Sequence, residues 1–382
     1  MGEKKLEFKN GKFKILQVSD PQDMHYVRRS LIKMLNRAYD DLKPDLVVFT
    51  GDNVLSNHLL DARFGSGQSG EGWFDTRDRM KKSLKHILQP LEDRGIPFAM
   101  HFGNHDDMCC MTKEEIIELY REYSCFVGLC DTYGHGDIGT HNILIYSGDA
   151  PKFNIWLFDT SRQNKAEDKC YEGVTEKAVE WYVSTSNALK AQNGGNPLPS
   201  LMFQHIPMSE INDCIEECSK NDEGAVKLYD ENKYIRLIPE KVNSGKLFEP
   251  TPGCKENYGH FDAVKQQGDT LAVIYGHHHM NKFDITHEGV RMIQTPAASF
   301  RCYGNSNRGV SLFEIDEANP NEFTYQHYTY YEIVGKTPLN RLSYFIDADE
   351  LEKPRRAAGA ALTFAAAGAV TAAIIKVIRR KY

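Results

Sequence analysis

The chain has 382 residues, 41% hydrophobic and 11% aromatic, with a net charge of −7 and a pI near 6.1. That supply of apolar side chains suits a large core and excludes disorder over most of the length. The acidic balance argues against binding through phosphate neutralisation, so no nucleic-acid partner is expected. The nine cysteines are odd in number and form no Cys-x-x-Cys pair. They read as reduced thiols of a cytoplasmic protein rather than a disulfide framework or a structural zinc site. Residues 1–10 are charged and lack an apolar stretch, so no signal peptide is expected.

In chain order, residues 13–19 (FKILQVS) read as a buried strand running into Asp20-Pro21-Gln22, and residues 27–42 have helical periodicity. Residues 45–50 (DLVVFT) form a second apolar run, ending in Gly51-Asp52-Asn53. A glycine-rich loop is expected at 65–72 and a helix at 76–94, closed by Gly95. Residues 97–102 (PFAMHF) give a third strand, ending in Gly103-Asn104-His105-Asp106. A helix over 112–123 opens with the capping box of Thr112 and Glu115. Strands are expected at 142–146 and 154–159, a helix at 175–191, and a short strand at 201–204 leading into His205. Residues 212–269 are polar with several Gly and Pro, and read as an insertion loop with little regular structure. Residues 271–275 form a strand that ends at Gly276-His277-His278-His279; short β segments follow to Tyr330.

Five apolar runs thus each end in a cluster of Asp, Asn or His. Ligand sites in α/β sheets lie outside the carboxyl ends of the strands, so the clusters are expected to converge. Alone, a Gly-Asp after a strand is a turn, a single histidine is a packing residue, and a His-His-His run is a surface tract. The ordered set of five is different. Carboxylates, imidazoles and a neutral amide oxygen suit first-row divalent metals such as Mn, Fe or Zn. The ligands exceed one coordination shell, and a carboxylate such as Asp52 can bridge two ions that clamp a phosphoryl group and activate a water.

The ordered motifs resemble the calcineurin-like metallophosphoesterases, whose pattern is Asp-x-His, Gly-Asp, Gly-Asn-His-Asp/Glu, His and Gly-His-x-His. The contexts HFGNHDD, FQHIPM and GHHHMNKF look closest to the branch near purple acid phosphatases, with its yeast cell-cycle regulator phosphatase and plant type-29 enzymes. The resemblance covers residues 13 to about 330. It implies an α/β fold, a β-sandwich flanked by helices in four layers, α/β/β/α, with a catalytic domain over 1–335. It also implies a metal-dependent phosphoester hydrolase acting on a phosphorylated small molecule or phosphoprotein. It places Asp20, Asp52 and His279 on one metal ion, and Asp52, Asn104, His205 and His277 on the other. His105 would serve the leaving group as the catalytic residue, and His278 has no role. Gln22 stands where the common pattern has His, and its amide oxygen is expected to ligate more weakly. A competing register is Asp23-Met24-His25; the direct run of FKILQVS into Asp20 favours Asp20 and Gln22. Leu55 replaces the Tyr that purple enzymes carry three residues after the bridging Asp, so their charge-transfer colour is not expected.

The same site type serves phosphodiesterases and nucleotide pyrophosphatases, and a non-catalytic scaffold would be expected to lose ligands. Tyr258, His260, Arg301 and Arg308 are candidate phosphate contacts. Residues 336–356 read as a linker. Residues 357–375 are uncharged, with basic residues on both sides including a 376–382 tail, and have the length of a membrane-anchoring helix.

Overall fold

The apolar runs are strands buried on both faces, and their alternation builds three separate cores. A computed structural model describes residues 5–56, 70–128, 137–162, 171–229, 232–251, 253–255 and 258–349. The chain begins with β1 (Leu6–Glu7), β2 (Lys12–Val18), α1 (Arg29–Leu42), β3 (Leu46–Thr50), α2 (Gly70–Arg94) and β4 (Phe98–His101). It continues through the one-turn α3 (Asn104–Asp107), α4 (Lys113–Arg121), β5 (His141–Ser147), β6 (Ala150–Phe158), α5 (Glu176–Gln192) and β7 (Ser200–Gln204). Then come β8 (Ile215–Cys218), β9 (Val226–Lys227), β10 (Tyr234–Leu237), β11 (Val242–Lys246), α6 (His260–Gln267) and β12 (Thr270–Tyr275). It closes with β13 (Lys282–His287), β14 (Val290–Gln294), β15 (Gly309–Asp316), β16 (Asn319–Thr329), α7 (Tyr330–Val334) and α8 (Pro338–Asp347).

One sheet has five strands in the order β16-β15-β2-β3-β4, and the other has eight in the order β1-β5-β6-β7-β12-β14-β13-β11. Successive side chains of a strand point to opposite faces. In β2, Phe13 and Ile15 enter the core between the sheets, while Leu16 and Val18 join the core under the helices. In β7, Leu201 and Phe203 face the other sheet and Met202 faces α5 and α6. The central core draws on both sheets; the outer cores seat α1, α2, α4, α7 and α8 on one side and α5 and α6 on the other. The layers are therefore α/β/β/α.

The connectivity places the site. Strands β2, β3 and β4 are parallel in one sheet, and β7 and β12 are parallel in the other. These five strands carry the five polar clusters, and their carboxyl ends meet at one edge of the sandwich.

Three sequence expectations need correction. Residues 212–269 are not an unstructured loop: they form the antiparallel sheet β8-β10-β9, the edge strand β11, which pairs with β13, and α6. Short alternations such as Tyr234–Leu237 are too brief to stand out against a polar background. Gly70 already begins α2, so only part of the expected glycine-rich loop can be one, and 65–69 lie outside the described residues. The expected linker contains α8, capped by Thr337, whose hydroxyl accepts from the Asn340 amide. Its Tyr344 is buried among Phe300, Tyr330 and Tyr331. The segment 357–375 lies outside the described residues; among those described, no helix is long and apolar enough to cross a membrane.

Arg308 ties α8 to the site-bearing layer. Fully buried, it donates to the carbonyls of Ser299 (2.6 Å), Cys302 (3.0 Å), Asn305 (3.2 Å) and Asp349, and to the Tyr344 hydroxyl (3.3 Å). Removing it strips several buried acceptors of donors at once. Arg308→Ala should lower stability by roughly 2–4 kcal/mol in chemical denaturation; a loss inside ±0.5 kcal/mol, as for an ordinary surface change, would contradict this role.

Candidate metal centre

Strand β2 ends at Val18, and Asp20 follows with φ 46°, in the left-handed region. Asp52 after β3 has φ 48° and His277 after β12 has φ 69°. Residues other than glycine rarely adopt this backbone, at a cost of order 1–3 kcal/mol each. Mutual hydrogen bonds hold the three. The His277 amide donates to Asp20 Oδ2 at 3.0 Å, Ser19 donates to the same oxygen, and the His105 amide donates to Asp52 Oδ1 at 2.9 Å.

The glycines work mostly through space. Of Gly51, Gly103 and Gly276, only Gly51 has a positive φ, 83°. A Cβ on Gly103 would lie 2.2 Å from Asp52 Oδ1, and one on Gly276 would lie 2.6 Å from Ser19 Oγ. Backbone and carboxylates approach too closely here for any side chain.

The converging side chains are within ligand distance of one another. His205, fully buried after β7, has its Nε2 3.0 Å from Asn104 Oδ1, 3.4 Å from Asp52 Oδ2 and 3.8 Å from Asp20 Oδ1. Its Nδ1 faces the Thr50 carbonyl at 2.9 Å, which fixes the ring. His279 Nε2 lies 3.7 Å from Asp20 Oδ1, and its Nδ1 faces the Tyr303 carbonyl at 2.9 Å. The His277 ring packs edge-on to His205, with centroids 5.2 Å apart. Gln22 donates to Asp52 Oδ2 at 3.1 Å. His105 stands at the rim, its Nε2 3.9 Å from Asp52 Oδ2. Asp20, Asp52 and His205 form the tightest carboxylate–imidazole group among the described residues.

Two oxygens test whether a cation fits. Asp20 Oδ1 and Gln22 Oε1 are buried and have no hydrogen-bond partner. Buried acceptors are nearly always satisfied, at a cost of about 1–3 kcal/mol when they are not. Two such oxygens beside His205 and Asp52 suit coordination of a divalent ion. The electrostatics agree. Burial alone would raise Asp52, but His205 and His105 override it and hold the carboxyl well below its usual range. Burial alone would lower His205, but the facing Asp52 and Asp20 push it up to about 10. The carboxylates thus hold one positive charge as a proton, and a metal competes for that place.

The competing register is engaged in other contacts. The Asp23 carboxylate accepts from the amides of Met24 and Arg28, both at 2.7 Å, and from Arg301. The His25 ring packs against Tyr26. Of the candidate phosphate contacts, only Arg301 lines the cleft, a cavity of about 580 Å³ bordered by Gln22, His105, Tyr171 and Tyr303. Arg308 is the structural hub described above. His260 is a core residue against Phe158 and Tyr182, its pKa pushed down to about 3 by burial.

Of the supporting residues, Asp106 stood in the Gly-Asn-His-Asp motif without an assigned role, and Glu249 and Tyr303 had no signal in the sequence. Asp106 accepts from the Gly103 amide (2.9 Å) and the Ser56 hydroxyl (2.8 Å), bracing the turn that carries Asn104 and His105. Glu249, from the region read as a loop, accepts from the Met280 amide at 2.7 Å and from the Tyr303 hydroxyl. The Tyr303 ring stacks on His279, with centroids 4.4 Å apart and planes 6° apart.

Residues 13–281 match the family described as calcineurin-like phosphoesterase. The chain belongs to that family. Its relatives are purple acid phosphatase-like proteins and a yeast phosphatase, all at low identity. Over 339 residues it is 26% identical to "Probable inactive purple acid phosphatase 14" of Arabidopsis thaliana, covering 79% of this chain and 75% of the relative. "Probable inactive purple acid phosphatase 29" of the same plant is 24% identical over 79% of this chain and 76% of its own length. "Phosphatase DCR2" of Saccharomyces cerevisiae is 24% identical over 84% of this chain and 54% of its own length. Metal-dependent phosphoester chemistry is the general activity of calcineurin-like phosphoesterases.

Glu249 grips both the residue after His279 and the ring stacked on it. Outer partners of this kind are worth roughly 10–100-fold in metal affinity. Glu249→Ala should therefore lower metal affinity by about that factor, with Glu249→Gln retaining most of it. Equal metal titrations of wild type and Glu249→Ala would remove this role.

Proposed function

We propose that this calcineurin-like phosphoesterase is an active phosphomonoesterase with two divalent ions, Mn, Fe or Zn. The observation that carries the reading is the buried group of Asp20, Asp52, Asn104 and His205, in which His205 Nε2 lies 3.0–3.8 Å from the other three. Orphaned oxygens on Asp20 and Gln22 complete it. In this reading Asp20, Gln22, Asp52 and His279 hold one ion, and Asp52, Asn104, His205 and His277 hold the other. Ions held there would supply the positive charge that clamps a phosphoryl group and acidifies a water.

His105 projects beside Asn104 from the first turn of α3, with a quarter of its side chain exposed at the cleft. It can give a proton or positive charge to the departing oxygen. The Asp52–His105 amide bond holds that turn against the metal cluster, which positions the donor. The names of three plant relatives contain the word inactive. Here the ligand set, retained except for Gln22 in place of His, and His105 support activity, and Leu55 supports a colourless centre without tyrosinate.

The test is hydrolysis of an aryl phosphate by the metal-loaded protein, with and without chelator. Asp52→Asn should cut turnover by roughly 10³-fold or more and reduce metal stoichiometry; normal turnover with two retained ions would sink the reading. His105→Ala should lower kcat by roughly 10²–10⁴-fold with metal content kept. Its deficit should shrink for esters with very good leaving groups. A deficit equal for all leaving groups would speak against proton donation.

A further inference from the structure

A phosphate fills only part of a cavity of about 580 Å³, and the remaining wall describes what leaves with it. Among the described residues, Arg301 is the one lysine or arginine in that wall. Its Nε donates to the carboxylate of Asp23, itself only 2% exposed, and its Nη2 reaches the Tyr26 carbonyl at 3.4 Å. The Tyr26 ring lies 4.7 Å from the guanidinium carbon, and among the described residues no second ring covers the other face. Nη1 makes no hydrogen bond among the described residues. The plane is registered to the metal centre: the amides of Arg301 (3.2 Å) and Cys302 (3.0 Å) donate to Ser299 Oγ, which donates to the Gln22 carbonyl at 2.8 Å.

These contacts fix a flat guanidinium whose charge is balanced by Asp23, with one face and one donor left over. Guanidinium planes stack on aromatic faces. Apart from Gln22, Asp52, Asn104 and the three histidines of the site, the described wall beside Arg301 is Met24, Leu55, Tyr171, Cys302 and Tyr303, mostly aromatic or apolar. Among the described lining residues, no uncompensated lysine or arginine awaits a second phosphate or carboxylate. We propose that the Arg301–Tyr26 wall is the leaving-group subsite and takes phosphate esters of planar, uncharged aromatic groups. The proposal rests on the phosphoester reading of the cleft.

Binding of non-hydrolysable phosphonates separates this from leaving-group reactivity. Calorimetry on the manganese-loaded full-length protein should find benzylphosphonate about tenfold tighter than methylphosphonate, and phosphonoacetate no tighter than methylphosphonate. Arg301→Lys keeps a charge opposite Asp23 but removes the plane. It should cut the aromatic preference, read as the ratio of benzylphosphonate to methylphosphonate affinity, below about threefold. Equal affinities for the benzyl and methyl compounds, a preference for phosphonoacetate, or full preference in Arg301→Lys would each overturn the subsite. If methylphosphonate itself failed to bind, the phosphoester reading would fall with it.

Discussion

Two buried carboxylates facing one imidazole set the terms for the rest of this structure. Asp20 and Asp52 both approach His205 Nε2 within 4 Å, and all three are removed from water. Such a group is costly unless charge is balanced and every oxygen has a partner. The fold assembles the group from two directions and leaves Asp20 Oδ1 without a hydrogen-bond partner. Three parallel strands of one sheet deliver Asp20, Asp52 and Asn104, and two parallel strands of the other deliver His205 and His277. The sheets must be packed in one register for the ends to meet. The left-handed backbone at Asp20, Asp52 and His277 and the tight clearances at Gly103 and Gly276 are local costs of that meeting.

The same constraint explains why the centre was legible in the sequence. A strand buried on both faces reads as an unbroken apolar run, and a polar cluster directly after it has few structural uses. All five clusters came together as the runs foretold, with Asp20 rather than Asp23 at the centre. The capping box of Thr112 and Glu115 was equally plain, because it is a local pattern with a local cause. Clearance rather than φ governs Gly103 and Gly276, a cause that no local sequence pattern displays.

What escaped was long-range or built from weak alternation. The small sheet within residues 212–269 is mostly half-buried and its strands are short, so no clear hydrophobic period marks them. Glu249 gains its meaning only from Met280 and Tyr303, 31 and 54 positions away. Arg301 and Arg308 look alike in sequence and differ wholly in role, one bordering the cleft and the other buried beneath it. Their difference lies in partners, Asp23 and Tyr26 for one and backbone carbonyls for the other. The residues once read as a loop and a linker both reach the centre: the first through Glu249 and Tyr303, the second through α8, Arg308 and the Ser299 carbonyl.

The central claim is that one carboxylate, Asp52, is shared between two metal ions. Anomalous diffraction from manganese-loaded crystals addresses it directly. The account predicts two peaks about 3.5–4 Å apart on either side of Asp52, one beside Asp20, Gln22 and His279 and the other beside Asn104, His205 and His277. A single peak, or a peak held by Asp23 and His25, would contradict it.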